Sequence, residues 1–151
     1  MTALRTSVYL DVCTLCRPFD DQQFLRIRLE TDAVNLIMSK VLAGQIILVV
    51  SPVHFAEIRA IPDDMERLQL LSIVKNFGVL SDADKGMVRK RANELVSLGF
   101  GPADAAHIAY TEAGKAKFIT CDDRLVKKCA KHAISTWYGG PVYFCAEEDL
   151  R

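Results

Sequence analysis

The sequence lacks an excess of charge of either sign, because its 19 basic residues are balanced by 19 acidic residues. Net charge therefore indicates no nucleic acid, anionic membrane or other charged partner, and any such partner would have to be bound by a local patch. Long apolar segments are also missing, since the longest run covers residues 46–50 and the N-terminus has no apolar signal-peptide core. We expect a cytoplasmic protein with no membrane association.

Two further absences bound the architecture. No polar linker divides the 151 residues, half of which are hydrophobic, so we expect one domain over residues 1–151 with one core. The five cysteines form no regular framework of spacings, which favours free thiols over disulfides. Cys13-x-x-Cys16 has the spacing of a redox pair or of half a zinc site, but no second pair follows at finger spacing, which favours packing roles.

Short apolar runs alternate with longer helical patterns along the chain. The runs at residues 7–12, 46–50, 118–121 and 142–144 predict β-strands. They are apolar without alternation, which is typical of strands buried on both faces, and the helical segments between them favour parallel crossover connections. The sequence therefore predicts an α/β fold with a central, mainly parallel β-sheet flanked by helices.

Capping residues predict where the helices begin. Starts are expected near Asp20 or Asp21, at Ser51-Pro52, at Asp63 or Asp64, between Ser81 and Asp84, and at Gly101-Pro102. The first of these helices should end at Gly44, and a last helix is predicted over residues 124–132. The acidic tail from about residue 146 is expected to be loosely held.

Four carboxylates, Asp11, Glu57, Asp104 and Asp122, lie at the edges of apolar segments. Asp11 and Asp122 sit at the carboxyl ends of predicted strands, where open parallel sheets place their reactive crevice, and the helix that carries Glu57 begins on the same edge. Any one of these acids alone is well explained as surface or as a helix cap. Four together would repel one another strongly unless a divalent cation neutralised them, so the pattern points to metal-dependent chemistry.

The segments VYLDVCTLCRPFDD, SPVHFAEI, GPADAAHIAYTEAG and FITCDDRLV resemble, in order and spacing, the acidic motifs of PIN-domain ribonucleases. The resemblance runs from residue 9 to about residue 125. It implies that Asp11, Glu57, Asp104 and Asp122 are the metal-binding and catalytic acids, with Asp123 as a neighbour that can assist. It also implies Mg²⁺ or Mn²⁺ as the cofactor and hydrolysis of RNA phosphodiester bonds as the activity.

Small stand-alone members of this family are commonly VapC-type toxins of toxin–antitoxin pairs. The resemblance thus implies a toxin that forms a homodimer and has a small antitoxin protein as its partner. Many members carry a small polar residue two positions after the first Asp, where this sequence has Cys13, a weaker donor, followed by Thr14. Thr120 fits the family's hydroxyl position and is expected to orient the acids instead.

Binding of RNA needs a local basic patch, and the last predicted helix offers one. Arg124, Lys127, Lys128 and Lys131 share one side of that helix, next to Asp122. Arg17, after the first strand, is a further candidate for a phosphate contact. His107, three residues after Asp104, lies among alanines and is interpreted as a packed structural residue rather than as a base.

Two other function classes stay open. A phosphotransferase of the haloacid-dehalogenase type would use Asp11 as a nucleophile, but Cys13 stands where that class has a second Asp. A non-catalytic PIN-like module that binds RNA or a protein without cleavage is the main alternative, because Cys13 removes a polar residue from the expected site.

Overall fold

A central sheet of five parallel strands organises residues 5–151, which are the residues that the computed structural model describes. The strands are β1 (Thr6–Leu10), β2 (Ile46–Val50), β3 (Gly78–Leu80), β4 (Lys117–Ile119) and β5 (Tyr138–Gly139). They lie in the order β3-β2-β1-β4-β5, and every neighbouring pair is parallel. The predicted α/β fold with a central parallel sheet is confirmed, and β2 has the predicted bounds.

Helices cover both faces of this sheet. They are α1 (Val12–Leu15), α2 (Leu25–Leu42), α3 (Pro52–Arg59), α4 (Asp64–Phe77), α5 (Lys85–Ser97), α6 (Pro102–Ala113), α7 (Asp123–Lys131) and α8 (Pro141–Glu147), with a 3₁₀ turn at Arg17–Phe19. Successive side chains of β1 alternate between the faces. Val8 and Leu10 therefore pack with α1 to α4 and α8, while Tyr9 packs with α5, α6 and α7.

Local sequence signals explain most helix boundaries. Asp63 caps α4 by accepting from the Glu66 N–H at 2.8 Å, and Asp84 caps α5 by accepting from the Met87 N–H at 2.9 Å. Pro52 and Pro102 occupy first turns, where a missing N–H costs nothing. Gly44 follows α2 with φ of +74°, a conformation that glycine adopts without steric cost. The helix starts that were predicted at these positions are confirmed.

The segment after β1 differs from the prediction. The strand ends at Leu10 rather than at residue 12, because Asp11 caps the short helix α1 by accepting from the Thr14 N–H. The 3₁₀ turn follows, so α2 begins at Leu25 and not near Asp20 or Asp21. The Asp21 carboxylate instead accepts from the Gln23 N–H at 3.0 Å and stabilises a turn.

The strand predicted at residues 142–144 is wrong, because these residues belong to α8. Gly140 and Pro141 form the start of that helix, and only Phe144 of the apolar run is turned into the core. The two edge strands were missed, since β5 has two residues and β3 exposes more than half of both Val79 and Leu80. The third predicted strand is shorter than expected and ends at Ile119.

Residues near the C-terminus are packed. The Leu150 N–H donates to the Cys145 carbonyl at 3.0 Å, and the Leu150 side chain packs against the core. Glu148 forms an ion pair with Lys117 of β4. These contacts correct the prediction that the tail is loosely held from about residue 146.

Each of the five cysteines is a free thiol. Among the helices of residues 5–151, none combines the length and the apolar character that crossing a membrane requires.

Gly78, at the start of β3, provides a test of the sheet packing. A Cβ atom at this position would lie 2.6 Å from Val50 Cγ1 and 2.6 Å from the Val74 carbonyl oxygen. Gly78→Ala should therefore lower the free energy of unfolding by about 1–3 kcal/mol, as overpacking commonly does. Urea denaturation of the variant measures this, with Val79→Ala as the control, because Val79 is 57% exposed on the same strand. Equal stability of both variants and the parent protein would contradict the packing argument.

Candidate functional site

The topology of the sheet creates a crevice beside its central strand. Connections from β1 lead to β2 on one side, whereas β4 pairs with the other side of β1. Crevices at such a switch point, outside the carboxyl ends of the strands, are the usual ligand sites of open parallel sheets. Asp11 follows β1 directly and Asp122 follows β4 by three residues, so both carboxylates lie at this edge.

Asp11 is the buried member of the site, with 4% of its surface exposed. Its Oδ1 accepts from the Thr14 N–H at 3.2 Å, from the Thr14 hydroxyl and from the Cys13 thiol at 3.4 Å. Its Oδ2 accepts from the Thr120 hydroxyl at 2.7 Å. Hydrogen bonds to an ionised acceptor are strong, so these donors fix the carboxylate and leave Oδ2 less occupied than Oδ1.

Thr14 supplies the hydroxyl that the position of Cys13 lacks. Sequence reasoning missed this role, although a threonine three residues after a helix-capping Asp is placed to reach it. Thr120 makes the contact expected of it and also accepts from the Asp122 N–H at 3.1 Å. The Thr120 hydroxyl thus links the ends of β1 and β4.

Asp122 is the N-cap of α7. Its Oδ1 accepts from the Arg124 N–H at 3.0 Å and from the Leu125 N–H at 3.2 Å. Capping, which was the simple explanation of this acid, is therefore one of its roles. Capping uses Oδ1, so Oδ2 is the atom through which Asp122 can serve the crevice.

Asp104 lies in the first turn of α6, half-buried, behind Gly101 and Pro102. Burial raises the pKa of its carboxyl above the usual value, and the negative charges of Asp11, Asp122 and, more weakly, Glu57 raise it further. Asp104 is thus close enough to the other three predicted acids to be repelled by their charges.

Glu57, on α3, has a histidine as its hydrogen-bond partner. Its side chain is 38% exposed, and its Oε1 accepts a hydrogen bond from His107 Nε2. This hydrogen bond lowers the pKa of the Glu57 carboxyl. His107 itself is 2% exposed, so it is packed as predicted, but it also reaches the site.

The four acids offer only hard carboxylate oxygens, which suit Mg²⁺ or Mn²⁺ better than softer metals. Within residues 5–151, no three His, Cys, Asp or Glu side chains are grouped closely enough to hold an ion as they stand. Burial and, after it, the negative charges of Asp11 and Asp122 nevertheless raise the pKa of Asp104, so the crevice is acidic around this residue. The donor chemistry and this charge fit a divalent cation, which would have to draw the carboxylates closer together.

Asp123 differs from the four acids. Both of its carboxylate oxygens accept from the Arg26 guanidinium, at 2.6 and 2.7 Å, and this contact lowers the pKa of the carboxyl. To act as a metal ligand, Asp123 would have to give up this bidentate pair. The structure thus places Asp123 beside the crevice with its own positive partner.

Some of the predicted basic residues already form polar contacts within residues 5–151, whereas others form no ion pair there. Arg17 pairs with Asp20 at 3.0 Å and with Glu30 at 3.1 Å, although it lines a cavity of about 430 Å³ together with Asp122 and Arg124. The Lys128 ammonium donates to the Gly99 carbonyl at 2.9 Å. Three others on α7, Arg124, Lys127 and Lys131, are exposed and form no ion pair with residues 5–151.

The cysteines next to Asp11 do not have the chemistry of a redox pair. The Cys13 thiol donates a hydrogen bond to the Asp11 carboxylate. Burial raises the pKa of the Cys16 thiol to about 12, and the neighbouring Glu66 adds to this. Since redox exchange and zinc binding both need the thiolate, the packing interpretation is favoured.

Fold and site together define an α/β domain with an acidic crevice at the switch point of a parallel sheet. The chain belongs to the PIN domain family, whose model matches residues 8–131. PIN domains are generally nucleases. The resemblance read from the acidic motifs is therefore confirmed at the level of the family.

Two solved structures share the fold. The crystal structure of FitAcB from Neisseria gonorrhoeae has 12% sequence identity and a TM-score of 0.55, over 89% of this chain and 97% of that one. The structure of FitAB bound to an IR36 DNA fragment has 14% identity and a TM-score of 0.50, over 89% and 95% of the two chains. At such identities the similarity establishes the fold alone. No curated protein sequence matches the chain.

His54, which sequence reasoning left without a role, connects β1 and α3 beneath the site. Its Nδ1 accepts from the Ser51 N–H at 3.0 Å, and its Nε2 donates to the Leu10 carbonyl at 2.6 Å. Burial, with a smaller effect of His107, lowers the pKa of His54 to about 4. The folded protein therefore holds this imidazole neutral.

The buried His54 predicts a pH dependence of stability. Between pH 6.5 and about pH 4 the unfolded chain binds a proton at His54 that the folded chain does not. The contribution of His54 to the free energy of unfolding is therefore fully present above pH 6.5 and is lost as the pH is lowered towards 4. The loss from this residue amounts to about 3 kcal/mol. Urea denaturation from pH 7 to pH 4 should show a flatter profile for His54→Gln than for the parent protein. His132→Gln is the control, and parallel profiles for all three proteins would contradict the prediction.

Proposed function

We propose that this PIN domain is a metal-dependent endoribonuclease that hydrolyses RNA phosphodiester bonds and acts as the toxin of a type II toxin–antitoxin pair. The observation that supports the proposal is the environment of Asp104, whose pKa is raised by burial and then by the negative charges of Asp11, Asp122 and, more weakly, Glu57. A single domain over residues 1–151, acting in the cytoplasm, fits this role.

The four acids divide the work at the proposed metal site. Asp11 and Asp104 would hold the principal Mg²⁺ or Mn²⁺, and Asp122 would hold it, or a second ion through water, with its free Oδ2. Glu57 would orient the nucleophilic water or complete the coordination, while Thr120 and Thr14 keep Asp11 in place. A bound divalent cation would neutralise the phosphate, promote formation of the attacking hydroxide and stabilise the leaving oxygen.

Substrate binding is proposed for the exposed side of α7. Arg124, Lys127 and Lys131 form no ion pair with any residue from 5 to 151 and follow Asp122 on α7, so a bound phosphate backbone would pass beside the acids. Lys128 and Arg17 would join only by leaving the Gly99 carbonyl and the pairs with Asp20 and Glu30. A net charge of zero favours a structured or narrowly chosen RNA over indiscriminate binding.

The proposed antitoxin needs a surface that leads to the acids. An apolar groove of about 600 Å³ lies between α2 and α8, where Leu25, Leu29, Val142 and Tyr143 are each at least 46% exposed. Arg26 lines both this groove and the cavity beside Asp122. A small protein seated in the groove could therefore extend over the crevice. A homodimer is proposed from the resemblance to VapC-type toxins.

Substitution of the central acids tests the nuclease. Asp11→Asn and Asp104→Asn should reduce cleavage of a panel of structured RNAs in Mn²⁺ or Mg²⁺ to the level seen with EDTA, because each removes a charged ligand. Asp32→Asn is the matched control, since Asp32 is exposed on α2 and forms no ion pair within residues 5–151. Full cleavage by Asp11→Asn would refute the assignment, and absence of cleavage by the parent protein with either metal would favour a non-catalytic binding module.

Growth of a bacterial host tests the toxin role. Expression of the parent protein alone should arrest growth, whereas Asp104→Asn at equal protein levels should not, because cleavage of cellular RNA requires the metal site. Asp32→Asn should arrest growth like the parent protein. RNA cleavage in vitro without growth arrest would exclude the toxin role and retain the nuclease.

A further inference from the structure

A buried chain of polar side chains runs from the start of α3 to Glu57. Ser51, Tyr9 and His107 are 0%, 0% and 2% exposed. The Ser51 hydroxyl lies 2.7 Å from the Tyr9 hydroxyl, which lies 2.5 Å from His107 Nδ1, and His107 Nε2 contacts the Glu57 carboxylate. The four residues come from β1, the α3 cap, α3 and α6, so the chain joins three elements around the crevice.

The direction of these hydrogen bonds follows from their last member. A carboxylate can only accept, so His107 Nε2 carries the proton of that bond. Nδ1 is then available to accept from the Tyr9 hydroxyl, whose oxygen in turn accepts from Ser51. Each polar atom along the chain has a partner, and the pattern holds the imidazole ring in one orientation.

His54 anchors the other end of this series of hydrogen bonds to the backbone. The ring of His54 packs 4.4 Å from the ring of Tyr9 and bonds both the Ser51 N–H and the Leu10 carbonyl. Leu10 is the residue before Asp11, so the positions of Tyr9 and Ser51 are tied to the strand that carries the central acid. The chain thus relates the orientation of Glu57 to the position of Asp11.

A core built only for stability would have little use for this arrangement. Burial of hydroxyls and an imidazole costs free energy that their hydrogen bonds at best offset, and apolar side chains of similar shape avoid that cost. The one member of the chain that reaches solvent is Glu57, at 38% exposure of its side chain. These hydrogen bonds therefore act on Glu57.

We infer that His107 is a positioning residue, which holds the Glu57 carboxylate in its reactive orientation with support from Tyr9 and Ser51. The inference rests on the proposed nuclease function and adds to the four acids a group that contacts neither metal nor RNA. Partners of this kind, one step removed from a metal, typically contribute about tenfold to a hundredfold to activity or metal affinity.

A double-mutant cycle between His107 and Glu57 tests the inference. His107→Leu should lower kcat for RNA cleavage about tenfold to a hundredfold with KM nearly unchanged, and His107→Gln, which retains an N–H donor, should recover part of the loss. If His107 acts through Glu57, the double variant His107→Leu with Glu57→Gln is no slower than Glu57→Gln alone. Independent, multiplicative losses would overturn the inference. Tyr9→Phe, which keeps the ring and removes the hydroxyl, should give a smaller loss and serves if His107→Leu does not fold.

A measurement without metal or substrate separates this inference from the nuclease proposal. In ¹⁵N NMR spectra of the imidazole rings, Glu57→Gln should shift the Nε2 signal of His107, and Tyr9→Phe should shift its Nδ1 signal. The signals of His132, which forms no side-chain hydrogen bond within residues 5–151, should not move. An unchanged His107 spectrum would refute the contact even if RNA is cleaved, whereas the expected shifts in a protein without nuclease activity would refute the proposed function alone.

Discussion

The structure depends on a buried carboxylate at the end of the central strand. Asp11 is almost completely removed from solvent, yet it accepts hydrogen bonds within the fold from the hydroxyls of Thr14 and Thr120. An ionised group in such a place is tolerated only when donors replace its lost hydration. The same donors determine where β1 stops, where α1 begins and how β4 ends. The central acid and the topology around it are therefore one arrangement.

The protein stabilises the four carboxylates with unequal numbers of hydrogen bonds. Asp11 accepts hydrogen bonds from hydroxyls, Asp122 accepts them from the amides at the start of α7, and Glu57 accepts one from His107. Asp104 accepts no hydrogen bond from residues 5–151, and burial and the neighbouring negative charges raise its pKa. A site whose acids were all satisfied by the protein would have little affinity for a cation. Asp104 is therefore the acid of the proposed site that a bound cation would stabilise most.

Periodic and capping signals predicted the parallel sheet, the bounds of β2 and the starts of α3, α4 and α6, because each depends on residues adjacent in sequence. The run at residues 142–144 was too short for its apolar character to separate strand from helix, and Pro141 decided in favour of the helix. At the site, the positions of Asp11 and Asp122 at one edge of the sheet followed from the strand ends. The His107 contact with Glu57 did not, because 50 residues separate them and only the tertiary fold brings them together.

Helix α7 combines two opposite charges that the net charge of zero conceals. Its N-cap is Asp122 and its first turn carries Asp123, where the positive end of the helix dipole favours negative charge, and its later turns carry Lys127, Lys128 and Lys131. The arrangement stabilises the helix at both ends and also places exposed ammonium groups beside an acidic crevice. The carboxylates of the crevice would repel a polyanion, whereas the lysines of α7 would attract it. Because the lysines and Asp122 belong to the same helix and its cap, a phosphate chain held by the lysines would lie next to the acids, whose charge a bound cation would neutralise.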